Sequence, residues 1–99
     1  MIRHIVIWKL ADTAEGNNKL ENARIMKQRL EALVGVIDGL EEAVVGVNFN
    51  GGEYDVALDS RFVSKEALDV YANHPAHVAV KEFVHAVAIG RQCVDFEEN

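Results

Sequence analysis

The first strand that the sequence predicts is apolar on both of its faces. The segment Ile2 to Leu10 is rich in β-branched and aromatic residues, which favour extended structure. Because side chains alternate between the two faces of a strand, Val6 and Trp8 share one face. Ile5 and Ile7 share the other. We therefore expect a central strand that is buried on both sides.

The rest of the chain predicts the element order βαββαβ, with the second helix broken in two. Strands are expected over 2–10, 40–49, 54–62 and 89–96, and helices over about 18–34, over 65–73 and from residue 75 onward. This order is typical of a ferredoxin-like α+β fold, in which helices cover one face of an antiparallel sheet. With 99 residues, we treat 1–99 as a single domain. The last three residues, Glu97 to Asn99, are expected to fray.

Three local signals set the predicted boundaries. Asn50-Gly51-Gly52 favours a hairpin turn between two strands. Ser64 is a favourable N-cap for the short helix that follows it. Pro75 suits the first position of the restarted helix, where its missing N–H costs nothing.

The two-faced first strand predicts an association surface. Helices on one side of the sheet leave Ile5 and Ile7 uncovered on the other, and exposed apolar patches of this kind mark contact sites. A twofold homodimer in which two four-stranded sheets pack face to face would cover them.

Charge and cysteine content exclude several classes of function. The formal net charge of −6 opposes nonspecific binding of nucleic acid or an anionic membrane. No apolar run approaches the roughly 20 residues of a membrane span. Lys9 and Asp12 interrupt the apolar opening segment, so we expect no signal peptide. The single cysteine, Cys93, allows no intrachain disulfide and indicates a cytoplasmic protein.

The densest group of chemically active residues is Tyr71-Ala72-Asn73-His74-Pro75-Ala76-His77. His77 borders the apolar stripe of the restarted helix, and His4 lies on the even face of the first strand. If that face meets the helices, His4, Tyr71 and His77 converge beneath them. A neutral imidazole, with an ordinary pKa near about 6.5, can accept a proton from a weak acid. A tyrosine hydroxyl can donate to a developing oxyanion. The set therefore suits proton transfer, with one histidine as base, Tyr71 as donor and the second histidine as orienting group.

The same residues have structural alternatives. His74 before Pro75 is typical of a turn, and Tyr71 and His4 are compatible with ordinary core positions. His4, His74 and His77 are also compatible with a zinc site. A cavity shared by His4, Tyr71 and His77 would favour catalysis over a structural role.

Two further residues have simple interpretations. Cys93 on the last strand is interpreted as a buried structural cysteine, with a thiol nucleophile as the alternative. His85 lies off the apolar stripe and is expected in solvent.

Four stretches of the chain resemble the stress-responsive A/B barrel (Dabb) family. They are Met1 to Val6, Gly51 to Asp55, Tyr71-x-x-His74-Pro75-x-His77, and Cys93 to Phe96. The resemblance runs from about Ile2 to Phe96. It implies a ferredoxin-like chain that dimerises into an α/β barrel, in agreement with the homodimer expected above.

The family includes olivetolic acid cyclase, which closes a linear polyketide by aldol condensation. The resemblance implies its base role for His77, its substrate-polarising role for Tyr71, and a pocket-lining position for His4. It also implies a set of apolar pocket residues: Val6, Trp8, Met26, Leu30, Leu58 and Val80. Lys81 and Arg91 occupy positions that help to form an apolar tunnel in the cyclase. These two charged residues would either shorten the pocket or bind an acidic group.

Some family members hold a magnesium ion through main-chain carbonyls after the first helix. The resemblance places such a site at Val34, Ile37 and Leu40. It implies no other cofactor.

The expected function is binding of a small oxygenated or acidic organic molecule between helices and sheet. Catalysis there would be cofactor-free proton transfer of the cyclase, isomerase or lyase type. The alternatives are a non-catalytic stress-responsive protein that binds a ligand or partner, and a cofactor-free monooxygenase.

Overall fold

Four long strands form one antiparallel sheet, and three helices cover one of its faces. The computed structural model describes residues 1–99. The elements are β1 (Ile2–Leu10), β2 (Thr13–Ala14), β3 (Asn17–Asn18), α1 (Lys19–Glu31), β4 (Leu40–Val47), β5 (Val56–Phe62), α2 (Lys65–Asn73), α3 (Pro75–Val87) and β6 (Ala88–Glu97). The strand order is β4-β5-β1-β6, with β2 and β3 forming a separate small hairpin. The predicted ferredoxin-like α+β fold is confirmed, and β1 is an interior strand as expected.

The pairing register places the even-numbered residues of β1 beneath the helices. Val6 and Leu10 are each only 1% exposed. In the edge strand β6, Cys93 lies opposite Val6, and Asp95 lies opposite His4. Both of these β6 side chains therefore share the helix-facing side with the core.

The first helix buries one apolar stripe, although the helix itself is shorter than expected. Its residues are Ala23, Met26, Leu30, Leu33 and Ile37. Because α1 ends at Glu31, the last two of these residues pack from the turns that follow it. None of the helices is long and apolar enough to traverse a bilayer.

Side-chain caps explain why α2 and α3 begin where they do. The Ser64 hydroxyl accepts the N–H of Ala67 at 3.1 Å, which starts α2. Nδ1 of His74 accepts the N–H of Ala76 at 3.1 Å, and Pro75 occupies the first turn of α3. His74 therefore has the turn role that the sequence offered as its structural alternative.

The other face of the sheet is uncovered and apolar along one part. Val44, Val94 and Phe96 are 48%, 60% and 44% exposed there. Ile5 and Ile7 on β1 lie between them and are only half-buried. The sheet therefore presents the apolar surface that the two-faced first strand predicts.

The prediction of a frayed tail is wrong for Glu98. Its carboxylate accepts hydrogen bonds from Arg3 and Arg61, each at 2.7 Å. Its N–H also donates to the Met1 carbonyl at 2.9 Å. The hydrogen bond from Arg3 holds the pKa of Glu98 below its usual range. The tail is ordered because its acidic residue meets two arginines that are distant in sequence.

Gly39 and Gly35 offer a test of close packing between the loop before β4 and helix α2. Both have φ of +88°, but a Cβ at Gly39 would lie 2.6 Å from Cβ of Ala67, whereas one at Gly35 would meet nothing within 4 Å. Each alanine substitution incurs the left-handed backbone cost of about 1–2 kcal/mol. We expect Gly39→Ala to lower the free energy of unfolding by a further 1–3 kcal/mol, roughly, because of the clash.

Urea denaturation of the two variants measures this difference. Combining Gly39→Ala with Ala67→Gly should restore part of the loss. Equal losses in Gly39→Ala and Gly35→Ala would contradict the proposed contact.

Candidate functional site

A cavity of about 320 Å³ lies between α3 and the helix-facing side of the sheet. Its lining includes nine of the residues predicted for the site: His4, Val6, Trp8, Leu30, Leu58, Tyr71, His77, Lys81 and Arg91. Two further lining residues, Val84 and His85, were not predicted. His85 is exposed as expected, but it also borders this cavity. The position of each side chain is thus established, whereas its role in function stays a prediction.

Two residues predicted for the pocket, Met26 and Val80, belong to the core instead. They are 0% and 8% exposed and do not line the cavity. On α3 the cavity-facing positions are His77, Lys81, Val84 and His85. Val80 lies at the edge of this side of α3, about 40° around the helix from Val84, and it is part of the buried hydrophobic cluster.

The break between α2 and α3 brings Tyr71 and His77 together. Their rings stack with centroids 3.9 Å apart and planes inclined by 24°. The His4 ring lies 6.2 Å from that of Tyr71, in an edge-on arrangement. The predicted convergence of His4, Tyr71 and His77 beneath the helices is therefore present.

Burial shifts the pKa values of the stacked pair in opposite directions. It lowers the pKa of His77 to about 4, and the positive charge of Lys81 adds to this shift. The backbone of Ala72 and Tyr71 opposes the shift only in part, and Nδ1 of His77 is buried without a hydrogen-bond partner. Burial also raises the pKa of Tyr71 to about 12. At neutral pH the site therefore holds a neutral imidazole beside a protonated phenol.

His4 is held by a carboxylate that the sequence analysis did not single out. Its Nδ1 is hydrogen-bonded to Asp95 on the neighbouring strand, and its backbone carbonyl accepts from the Ser60 hydroxyl at 2.8 Å. The alternation of Cys93 and Asp95 along β6 was visible in the sequence, but the register that sets Asp95 opposite His4 was not. The pair gives His4 a fixed ring orientation.

Cys93 also lies beside His4, with Sγ 3.7 Å from Nδ1. Burial and the charge of Asp95 raise the pKa of the Cys93 thiol. A raised pKa disfavours the thiolate that a nucleophile requires, so the half-buried structural role fits Cys93 better.

The zinc site suggested for His4, His74 and His77 does not form. These side chains do not gather within coordinating distance of one another, because Nδ1 of His74 turns back to cap α3.

The magnesium site at Val34, Ile37 and Leu40 stays a prediction. The Ile37 carbonyl accepts the N–H of Leu40 at 3.3 Å. A carbonyl oxygen has a second lone pair, so this contact is compatible with a cation. Such an ion would order the turn before β4, and no chemical step is assigned to it.

Comparisons with known proteins agree on the family and the fold. The sequence model of the stress responsive A/B barrel domain (Dabb) matches residues 2–98. A dimeric protein of unknown function with a ferredoxin-like fold, from Bacteroides fragilis, is 35% identical; the match covers 98% of this chain and 95% of that one, with a TM-score of 0.88. Among curated proteins, none matches this chain.

Two other solved structures extend the comparison. A dimeric ferredoxin-like protein of unknown function from Jannaschia is 26% identical over 98% of both chains, with a TM-score of 0.78. A hydroxynitrile lyase from Passiflora edulis is 16% identical over 99% of this chain and 93% of its own, with a TM-score of 0.77. At that identity the likeness to the lyase shows the fold alone.

The low pKa of His77 predicts a specific loss of stability in acid. Its folded-state pKa of about 4 lies below the unfolded value of 6.5. Between these values the unfolded chain binds the proton more tightly, so stability contributed by neutral His77 falls as the pH drops from about 6.5 to about 4. We expect the free energy of unfolding of His77→Gln to depend less steeply on pH than that of the wild type.

Urea denaturation at pH 7 and pH 5 measures the pH dependence of the free energy of unfolding. An NMR titration of the His77 ring measures its pKa. Identical pH dependence in the two proteins, or a His77 midpoint near the unfolded value, would show that the ring is solvated.

Proposed function

This chain belongs to the stress-responsive A/B barrel (Dabb) family, and we propose that each protomer of a homodimer binds a small oxygenated or acidic organic molecule and catalyses cofactor-free proton transfer on it. One observation carries this proposal. One cavity is lined by the neutral imidazole of His77, the protonated Tyr71 side chain and the cations Lys81 and Arg91. Its lining residues include no carboxylate.

The preference for an acidic ligand rests on Lys81 and Arg91. The chain has a net charge of −6, yet neither of these cations forms an ion pair with any of its carboxylates. Unpaired cations beside a partly desolvated cavity attract anionic groups and bind them by charge-assisted hydrogen bonds. A carboxylate on the ligand would supply the missing partner.

The size of the cavity restricts the ligand further. Its volume of about 320 Å³ stands at the lower end of small-molecule sites, which span roughly 300–1,000 Å³. Lys81 and Arg91 occupy part of its wall, so a polyketide with a long alkyl chain does not fit this proposal. A compact oxo acid or aromatic acid does.

The proposed proton transfer uses the neutral form of His77 and the protonated form of Tyr71. Neutral His77 accepts a proton from a carbon next to a carbonyl group. Because Nδ1 is enclosed, Nε2 is the nitrogen left to accept it. Tyr71 keeps its proton and donates a hydrogen bond to the oxygen on which negative charge develops. His4, oriented by Asp95, lies beside Tyr71 and positions the ligand.

Binding without turnover is the second candidate function. Tyr71 is only 3% exposed, and its stacking on His77 limits the approach of a ligand to both rings. This packing favours a protein that binds its ligand through Lys81 and Arg91 without reacting with it.

The homodimer is supported by the uncovered sheet face and by the dimeric relatives. The Bacteroides fragilis and Jannaschia proteins are both described as dimeric. In this chain the uncovered sheet face carries Val94 and Phe96 on β6, and Ile5 and Ile7 on the neighbouring β1. Packing of two sheets face to face would cover all four side chains. Burial of that apolar area would supply the driving force for association.

An oxo acid and its neutral analogue test the ligand and the reaction together. We expect the protein to bind 4-oxopentanoate more tightly than 2-pentanone and to accelerate deuterium exchange at the carbon beside its ketone in D₂O. A general base contributes about 10²–10⁴-fold, so His77→Gln should slow the exchange by at least about 100-fold. NMR spectroscopy measures binding and exchange in the same samples.

Charge variants separate binding from chemistry. Lys81→Met and Arg91→Gln should abolish the preference for the acid, whereas Arg24→Gln, which removes an exposed cation from α1, should leave it intact. Exchange at the wild-type rate in His77→Gln with the ligand bound would favour the non-catalytic candidate. Equal affinity for acid and ketone would rule out the proposed role of the two cations.

Two exposed valines test the dimer. Val94 on the uncovered sheet face and Val70 on α2 are 60% and 56% exposed. We expect native mass spectrometry to show a wild-type species of twice 11.0 kDa, and Val94→Lys to shift it toward the monomer because a charge is then buried between the sheets. Val70→Lys should remain dimeric. Loss of the dimer in Val70→Lys alone would place the interface on the helices instead.

A further inference from the structure

Three side chains of different chemistry meet where β1 and β6 pair. His4 lies opposite Asp95 in the register, and Cys93 precedes Asp95 by two positions on the same strand. Alternation along β6 therefore brings an imidazole nitrogen, a sulfur and a carboxylate oxygen to one side of the sheet. The three ligand atoms lie within 4.8 Å of one another.

Two of the three distances between these atoms match the edges of a tetrahedral coordination sphere. Sγ of Cys93 is 3.7 Å from Nδ1 of His4 and 3.7 Å from Oδ1 of Asp95. With a zinc–sulfur bond of about 2.3 Å and zinc–nitrogen or zinc–oxygen bonds of about 2.1 Å, a tetrahedral angle gives an edge of about 3.6 Å. The third edge, between His4 and Asp95, is closed by their hydrogen bond. An ion that replaced the shared proton would open it to about 3.4 Å.

From this arrangement we propose that His4, Cys93 and Asp95 form a binding site for a borderline or soft divalent cation of the zinc class. Thiolate and imidazole ligands select such metals, whereas magnesium requires oxygen ligands. Three protein ligands leave a fourth position for water or for a ligand from the cavity, as in zinc sites that remain open. This site differs from the one first considered with His74, which faces the start of α3.

Charge and access are both compatible with an ion at this position. Binding of the cation would displace the proton of the Cys93 thiol, and the resulting thiolate and the Asp95 carboxylate would together balance a charge of +2. The Asp95 side chain is 47% exposed and that of His4 is 11% exposed, so the ion would enter from the Asp95 side. Arg91, two residues before Cys93, points into the neighbouring cavity, where its charge can be met by an acidic ligand.

Titration of the tag-free protein with Co²⁺ tests the site without any need for turnover. Cobalt bound by a thiolate in a tetrahedral site gives a sulfur-to-metal charge-transfer band and intense visible bands. We expect about one equivalent per chain, with displacement by Zn²⁺ but not by Mg²⁺. Cys93→Ser should abolish the charge-transfer band, and Asp95→Asn should weaken binding by at least about 10-fold. His85→Gln, a histidine at the cavity outside the cluster, should bind as the wild type does.

Absence of the band in folded wild-type protein with excess Co²⁺, or its persistence in Cys93→Ser, would overturn the proposal. Circular dichroism establishes whether Cys93→Ser folds. If it does not, Asp95→Asn decides the question because its side chain is exposed, and unchanged affinity in that variant would exclude the site. The proposed proton transfer is tested by deuterium exchange and ligand binding, whereas the cation site is tested by Co²⁺ titration. Each of the two proposals can therefore fail without the other.

Discussion

The pairing of β1 with β5 on one side and β6 on the other is the constraint on which the other features depend. It fixes which side chains of β1 meet the helices and which do not, because residues alternate between the faces of a strand. His4, Val6 and Trp8 thereby become the floor of the cavity, while Ile5 and Ile7 are left on the uncovered face. A slip of one residue would exchange these two sets and destroy the site and the association surface together.

The break at His74 and Pro75 is the second determinant of the site. Without it, Tyr71 and His77 would lie on one continuous helix and their rings would not stack. With it, the chain turns so that the two rings stack, and the resulting desolvation lowers the pKa of His77 and raises that of Tyr71. Packing thus keeps His77 neutral and Tyr71 protonated over a wider range of pH than the free side chains, and it also makes His77 a weaker base than a free imidazole. The same cavity is lined by Lys81 and Arg91, two cations in a chain that is otherwise acidic.

Predictions from sequence were accurate where short-range physics decides. Helix α2 begins and ends at the predicted residues because Ser64 caps it and Pro75 prevents its continuation. They were wrong where a partner lies far along the chain. Glu98 is ordered by Arg3 and Arg61 rather than frayed, and Val80 is enclosed in the core cluster instead of lining the cavity. Asp95 was not singled out, since no local pattern reveals a cross-strand partner.

By itself the sequence determined the order of the elements, the ferredoxin-like class, the two-faced first strand and the approach of His4, Tyr71 and His77 beneath the helices. These follow from alternation, helical periodicity and capping, which are properties of neighbouring residues. Only the tertiary structure decided that Asp95 and Cys93 join His4, that Lys81 and Arg91 share a cavity without any carboxylate, and that His77 is half-buried against Tyr71. Strand register and burial depend on contacts between residues distant in sequence, so they are settled only when the whole chain packs.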